Sequence, residues 1–159
     1  PTRRSSDLFI LIVSPAGIEM GFRNSIAAAR EAIIVTTPEI SAVRDADRVI
    51  GLLEANDIKA VRLVINRLRP AMVAAEQMMS VKDVQGILSI PLLGVIPDDE
   101  QVIVSTNKGE PLVLEEKLSK AGIAFTNVSQ RLQGEKVPLM DLSIPQDSFF
   151  TRLKRLFGM

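Results

Sequence analysis

The tetrapeptide Ser14-Pro15-Ala16-Gly17 is the first place in this chain where residue types and order suggest chemistry. It follows the apolar run Phe9–Val13 and leads toward a second apolar run that ends in Thr36-Thr37-Pro38-Glu39. A buried strand ending in a small-residue turn with a glycine is where an open α/β sheet places a phosphate-sensing loop. On residue types alone, a plain turn after a strand reads equally well. Other chemistries are closed. The chain has no cysteine and no histidine, which removes disulfides, thiolate zinc sites, cysteine nucleophiles and imidazole bases together. No side chain is assigned a catalytic or metal-ligating role.

The elements that must position this turn follow from the hydrophobic pattern. Four continuous apolar runs, Phe9–Val13, Ala32–Thr37, Val61–Asn66 and Leu92–Ile96, read as parallel strands, because strands covered by helices on both faces do not alternate. Between them lie helical periodicities. Ser41–Ala55 has a serine as candidate N-cap and apolar residues at Val43, Ala46, Val49, Ile50 and Leu53, a spacing near 3.6. Ala71–Ser80 and Val81–Leu88 make a second crossover, Asp98–Lys108 a short helix with acidic residues in its first turn, and Leu118–Leu132 a longer one. Strand and helix alternate, so the expected fold is α/β with a mostly parallel sheet and right-handed crossovers.

With 159 residues, 47% apolar and 24% charged, the chain can form one domain with a sizeable core. Its formal net charge is zero, so no global field draws it to nucleic acid or membrane, and any such affinity needs a local patch. No apolar run approaches the roughly 18 residues that span a bilayer. The cysteine-free composition fits the cytoplasm. Residues 1–8, Pro-Thr-Arg-Arg-Ser-Ser-Asp-Leu, look like a translated sequencing adapter, with a polar N-terminal tail as the alternative. Residues 9–133 are expected to form the α/β domain and 134–146, with Gly134, Pro138 and Pro145, a linker.

Residues 147–159 carry the local patch. On a helix, Phe149, Phe150, Leu153, Leu156 and Phe157 fall within an arc of roughly 120°, while Arg152, Lys154 and Arg155 lie outside it. Three of the six phenylalanines of the chain sit here. An aromatic and leucine face with cations around it suits an interfacial helix on an anionic lipid surface. Docking on the chain's own domain and capture of a partner protein are the competing fates. So short a helix binds lipid marginally by itself, and two on one dimer gain by effective concentration.

Several motifs stand in one order: Ser-Pro-Ala-Gly-Ile-Glu at 14–19, Thr-Thr-Pro-Glu at 36–39, Ser-Ala-Val-Arg-Asp-Ala-Asp-Arg at 41–48, Asn-Arg at 66–67, Ile-Pro-Asp-Asp at 96–99, Asn-Lys-Gly-Glu-Pro at 107–111, and the basic amphipathic tail. Together they make the chain resemble the MinD family, deviant P-loop ATPases that position the bacterial division site. The resemblance covers Phe9–Met159 and implies a partial P-loop NTPase fold of the SIMIBI type. It implies that Ser14, Pro15 and Gly17 lie beside the γ-phosphate, that Asn66 reads the adenine edge through an amide able both to donate and to accept, with Arg67 following it, and that the Pro97-Asp98 turn closes over the base. Glu39, Ser41, Arg44, Asp45 and Asp47 fall where the family contacts its second subunit and its regulators. Without the resemblance, Asp45 and Asp47 read as a solvated helix face and Asn66 as an ordinary strand end.

Implied for the whole protein are ATP and Mg2+, a homodimer, a division inhibitor and an activator of the Min system, and an anionic membrane surface reached from the cytoplasm, with no nucleic acid. Two departures bear on activity. The family has an aspartate where this chain has Val13, and valine cannot hold magnesium or its waters. The P-loop is expected upstream of the present residues, so this chain by itself is not expected to hold ATP well or to hydrolyse it. In this fold the P-loop strand lies between the strands here read as Phe9–Val13 and Ala32–Thr37, which must therefore pair directly or leave open edges; poor folding of the chain by itself is the consequence expected. A ParA- or Mrp-type relative, or a non-catalytic module that binds membrane or partners, are the alternative functions.

Overall fold

The computed structural model describes residues 9–14 and 20–142, side chains of the latter from residue 21. Its centre is a parallel sheet of three strands in the order β1-β2-β3: β1 Glu31–Thr36, β2 Ala60–Leu68 and β3 Leu92–Pro97. Ala32 pairs with Val61 and Thr36 with Ile65, while Leu63 pairs with Leu92 and Ile65 with Val95. Around it lie α1 Met20–Ala27, α2 Ile40–Ala55, α3 Pro70–Ala74, α4 Val81–Leu88, α5 Glu100–Lys108 and α6 Lys120–Leu132, with a 3-10 turn at Leu112–Leu114.

The period of two along β2 divides the core. Val61, Leu63 and Ile65 point into a main cluster with Val43, Ala46, Ile50 and Leu53 of α2, Val84 and Leu88 of α4, and Phe22 of α1. Val64 points the other way and joins Leu93, Ile96, Leu112, Ala121 and Ala124 beneath α6. Helices thus cover both faces of β2 and β3, as the continuous apolar runs require. Leu63 and Ile65 are fully buried, so truncating either to alanine is worth about 2–5 kcal/mol.

Phe9–Val13 is not a strand. Its residues have no regular structure and are exposed, from 48% at Ile12 to 90% at Val13. A parallel strand exists only through the backbone groups of a neighbour and the layers that cover its faces, and Phe9–Val13 pairs with none of the three described strands. Ser41 does not cap α2. The N-cap is Glu39, whose side chain makes no capping bond, and the Val43 N–H already donates to the Glu39 carbonyl. Fully buried Pro38 fixes the turn out of β1, so the helix launches one residue before the serine. The stretch 71–80 is helical only to Ala74, because Glu76 takes a positive φ of 56° and the chain folds back through Gln77 N–H to the Met72 carbonyl. Helix α1 was not expected from the pattern. The helices expected at 98–108 and 118–132 begin two residues later, at Glu100 and Lys120.

Residues 135–142 have no regular structure, yet they lie on the body. The Arg131 guanidinium donates to the carbonyl of Leu93 on β3 at 2.9 Å, and to those of Val137 and Pro138 at 2.8 and 2.6 Å. Met140 then packs on the α6 cluster and Leu142 on the main one. Residues 143–159, which include the amphipathic stretch, lie outside the described residues.

Candidate functional site

The candidate residues gather where β1, β2 and β3 end. In β2 the pairing to β3 is irregular between Ile65 and Leu68, so Asn66 and Arg67 form a bulge. Arg67 there has φ 57°, a left-handed conformation that non-glycine residues seldom adopt. Bulges of this kind re-aim side chains beside functional sites. Half-buried Asn66 accepts the Arg67 N–H through its Oδ1 at 2.9 Å, which fixes the amide with its NH2 end turned away from that bond.

Pro97 is buried at the end of β3 and Asp98 N–H donates to the Leu68 carbonyl at 2.8 Å, so the two strand ends are tied. The Asp98 carboxylate then receives two guanidinium groups: Arg67 Nε at 3.5 Å and Arg69 Nε at 2.5 Å. Arg69 escaped sequence reasoning. Strand alternation gives no signal for it, because the left-handed Arg67 breaks the period of two before β2 ends at Leu68. Asn66, Arg67, Pro97 and Asp98 therefore lie together where β2 and β3 end, and Asp98 neutralises part of the cationic charge.

The next residue faces elsewhere. Asp99 caps α5 through Gln101 N–H at 3.0 Å and α6 through Ala121 N–H at 3.1 Å. Burial pushes its carboxyl up, but the bonds from Gln101, Ser119 and Ala121, helped by the Lys120 charge, prevail and hold it below the ordinary value.

Glu39, Ser41, Arg44, Asp45 and Asp47 are all exposed on the first turns of α2; Asp45 and Arg48 approach at 3.6 Å. Glu39, Ile40 and Ser41 also line an open groove of about 790 Å³ with Met72, Met78 and Met79. The rim of that groove includes Asp83, whose carboxyl is held low by the Ser80 hydroxyl and backbone N–H in a reciprocal cap of α4. Ser14 lies at the exposed end of the Phe9–Val13 segment. Pro15, Gly17, Phe149, Phe150, Arg152, Leu153, Lys154, Arg155, Leu156 and Phe157 lie outside the described residues. Among the described residues no three acidic side chains converge as a metal site, and none of their helices is long and apolar enough to cross a membrane.

Comparison with known proteins identifies the family. The family model described as ParA, NUBPL iron-transfer P-loop NTPase, matches residues 9–133. A septum site-determining protein MinD of Synechocystis is 58% identical over 147 residues, covering 92% of this chain and 55% of that protein. The MinC:MinD cell division complex of Aquifex aeolicus superposes with a TM-score of 0.76 at 45% identity, over 80% of this chain and 52% of the matched one. The MinD of Pyrococcus horikoshii, solved with Mg-ADP, gives a TM-score of 0.65 at 28% identity, over 78% and 51%. The chain thus spans about half the length of the relatives it matches. It belongs to the ParA family of P-loop NTPases, and its relatives within that family are the MinD proteins.

Proposed function

We propose that this chain is the C-terminal part of a MinD-type ATPase that governs placement of the division septum. One observation carries the reading: the bulge at Asn66-Arg67 and the Pro97-Asp98 turn meet at the strand ends, beside the exposed charged start of α2. In the whole protein Asn66 reads the adenine edge, Arg67 and Arg69 hold Asp98 so that its turn lies over the base, and Glu39, Ser41, Arg44, Asp45 and Asp47 meet the second subunit or a Min regulator. Nucleotide brings two copies together, and their paired tails reach the anionic inner face of the cell membrane, where Phe149, Phe150, Leu153, Leu156 and Phe157 enter the interface.

The donor set fits a base and not, by itself, the phosphates or magnesium. Those groups need the P-loop and a carboxylate, and Val13 is an exposed aliphatic side chain. Bound Mg2+ would supply charge neutralisation at the phosphates. Val13 also favours a second reading, in which the protein binds nucleotide, membrane and partners without turning ATP over.

Joining residues 9–159 to the first half of the Synechocystis relative tests the proposal. We expect the chimera to bind ATP and to sediment with phosphatidylglycerol vesicles more in ATP than in ADP. Val13→Asp should raise its turnover by on the order of tenfold or more, and Phe149→Ser with Phe157→Ser should abolish sedimentation. A cooperatively folded chimera that binds no nucleotide overturns the ATPase reading, and vesicle binding unaltered by the double serine variant overturns the anchor.

A further inference from the structure

The groove beside the start of α2 has no occupant among the described residues, and its chemistry is particular. Its floor is Met72, Val73, Met78 and Met79, all half-buried. Methionine is unbranched and polarisable, and it packs well against aromatic rings. Glu39, Glu76 and Asp83 stand around that floor. The cations that share the groove, Arg67 and Arg69, are both engaged with Asp98. Asp83 is engaged with Ser80, so the unengaged charges among the ionisable side chains lining the groove are the acidic Glu39 and Glu76.

We propose that this groove is the resting place of the chain's own C-terminal segment, residues 147–159. Phe149, Phe150, Leu153, Leu156 and Phe157 match the methionine floor, and Arg152, Lys154 and Arg155 match the acidic rim. Continuity supports the choice of occupant. The described chain ends at Leu142, which packs on the main hydrophobic cluster, and the six residues between it and Phe149 span up to roughly 20 Å when extended.

The proposal rests on the membrane reading of the tail and gives it a regulator. Glu39, Ile40 and Ser41 belong both to the groove wall and to the α2 surface assigned above to a second subunit or regulator. A tail in the groove competes with a protein on that surface. Covering the surface frees the tail for lipid, and uncovering it draws the tail back. The two sites are thereby coupled with the reciprocity that linkage demands.

The absence of native cysteines makes the test direct. Met79→Cys with Leu153→Cys in the full chain, oxidised with diamide, should form an intramolecular disulfide. A control pair, Ile103→Cys with Leu153→Cys, uses an exposed position on α5 and should react at least about tenfold more slowly, since a disulfide needs Cα atoms within roughly 7 Å. Phosphatidylglycerol vesicles should slow the first pair and leave the second unchanged. Met79→Ser, which adds no charge, should raise the vesicle-bound fraction severalfold. Equal rates for the two pairs, or a disulfide formed only between two chains, overturns the docked tail. Selective crosslinking without vesicle binding overturns the membrane reading alone, and vesicle binding without selective crosslinking overturns the docking alone.

Discussion

Along the outer edge of β3, the Arg131 guanidinium donates to the Leu93 carbonyl and ties residues 137 and 138 against the strand, whereas β1 meets no strand on its outer side among the described residues. On β1, Ile33 is 37% and Val35 61% exposed; on β3, Leu93 and Ile96 are buried under α6. The difference lies in what meets each edge among the described residues. A cationic fork in place of a further strand blunts an edge that would otherwise template association, and α6 brings it there. The β1 edge pairs with no described strand, and its Ile33 and Val35 side chains stay exposed.

Substitutions at the two edges should therefore differ in cost. Arg131→Ala should be the most damaging, by about 3 kcal/mol, since it removes three charge-assisted hydrogen bonds and leaves the Leu93 carbonyl without them; a lowered urea midpoint measures it. Gly94→Ala follows, because an added Cβ overlaps Val128 Cγ2 on α6. We expect a loss of about 1–3 kcal/mol, largely restored by adding Val128→Ala. Asp99→Ala removes caps from two helices at once and should cost about 1–2 kcal/mol.

Acid sharpens that third result. The Asp99 and Asp83 carboxyls lie below their ordinary value of 3.8 in the folded chain, so the unfolded chain binds their protons first. Their stabilisation is complete above that value and is lost as pH falls below it. Asp99→Asn should thus flatten the fall in stability below about pH 4, read from urea midpoints at stepped pH. Smallest of all is Val35→Thr, within about 0.5 kcal/mol because the side chain is already in water. Its visible effect should be reduced self-association by light scattering, and a loss near that of Arg131→Ala would abolish the contrast between the edges.

Much of this architecture was legible in the chain, and the misreadings share a cause. Ala32–Thr37, Val61–Asn66 and Leu92–Ile96 became strands nearly as bounded, since each apolar run meets a neighbouring strand and at least one covering layer. Phe9–Val13 carries the same pattern and stays irregular, because pattern reports what a segment can bury and says nothing of whether a partner is present. Asn66, Arg67, Pro97 and Asp98, which the resemblance assigns to one site, lie at the ends of β2 and β3. Arg69 did not stand out, since its role depends on a bulge that hydrophobic periodicity cannot show. The cap of α2 was misplaced because Pro38, rather than a hydroxyl, decides where that helix starts.

Asp98 and Asp99 are neighbours with opposite allegiances, one to two arginines at the strand ends and the other to the starts of two helices. Both are aspartates, so composition does not distinguish their tasks; position along the turn does. A residue inserted or deleted between Pro97 and Glu100 would hand each carboxylate the other's place, or leave one place empty, with the local composition almost unchanged. At this point the molecule is sensitive to length before it is sensitive to identity, and a one-residue gap here is a heavier lesion than many substitutions.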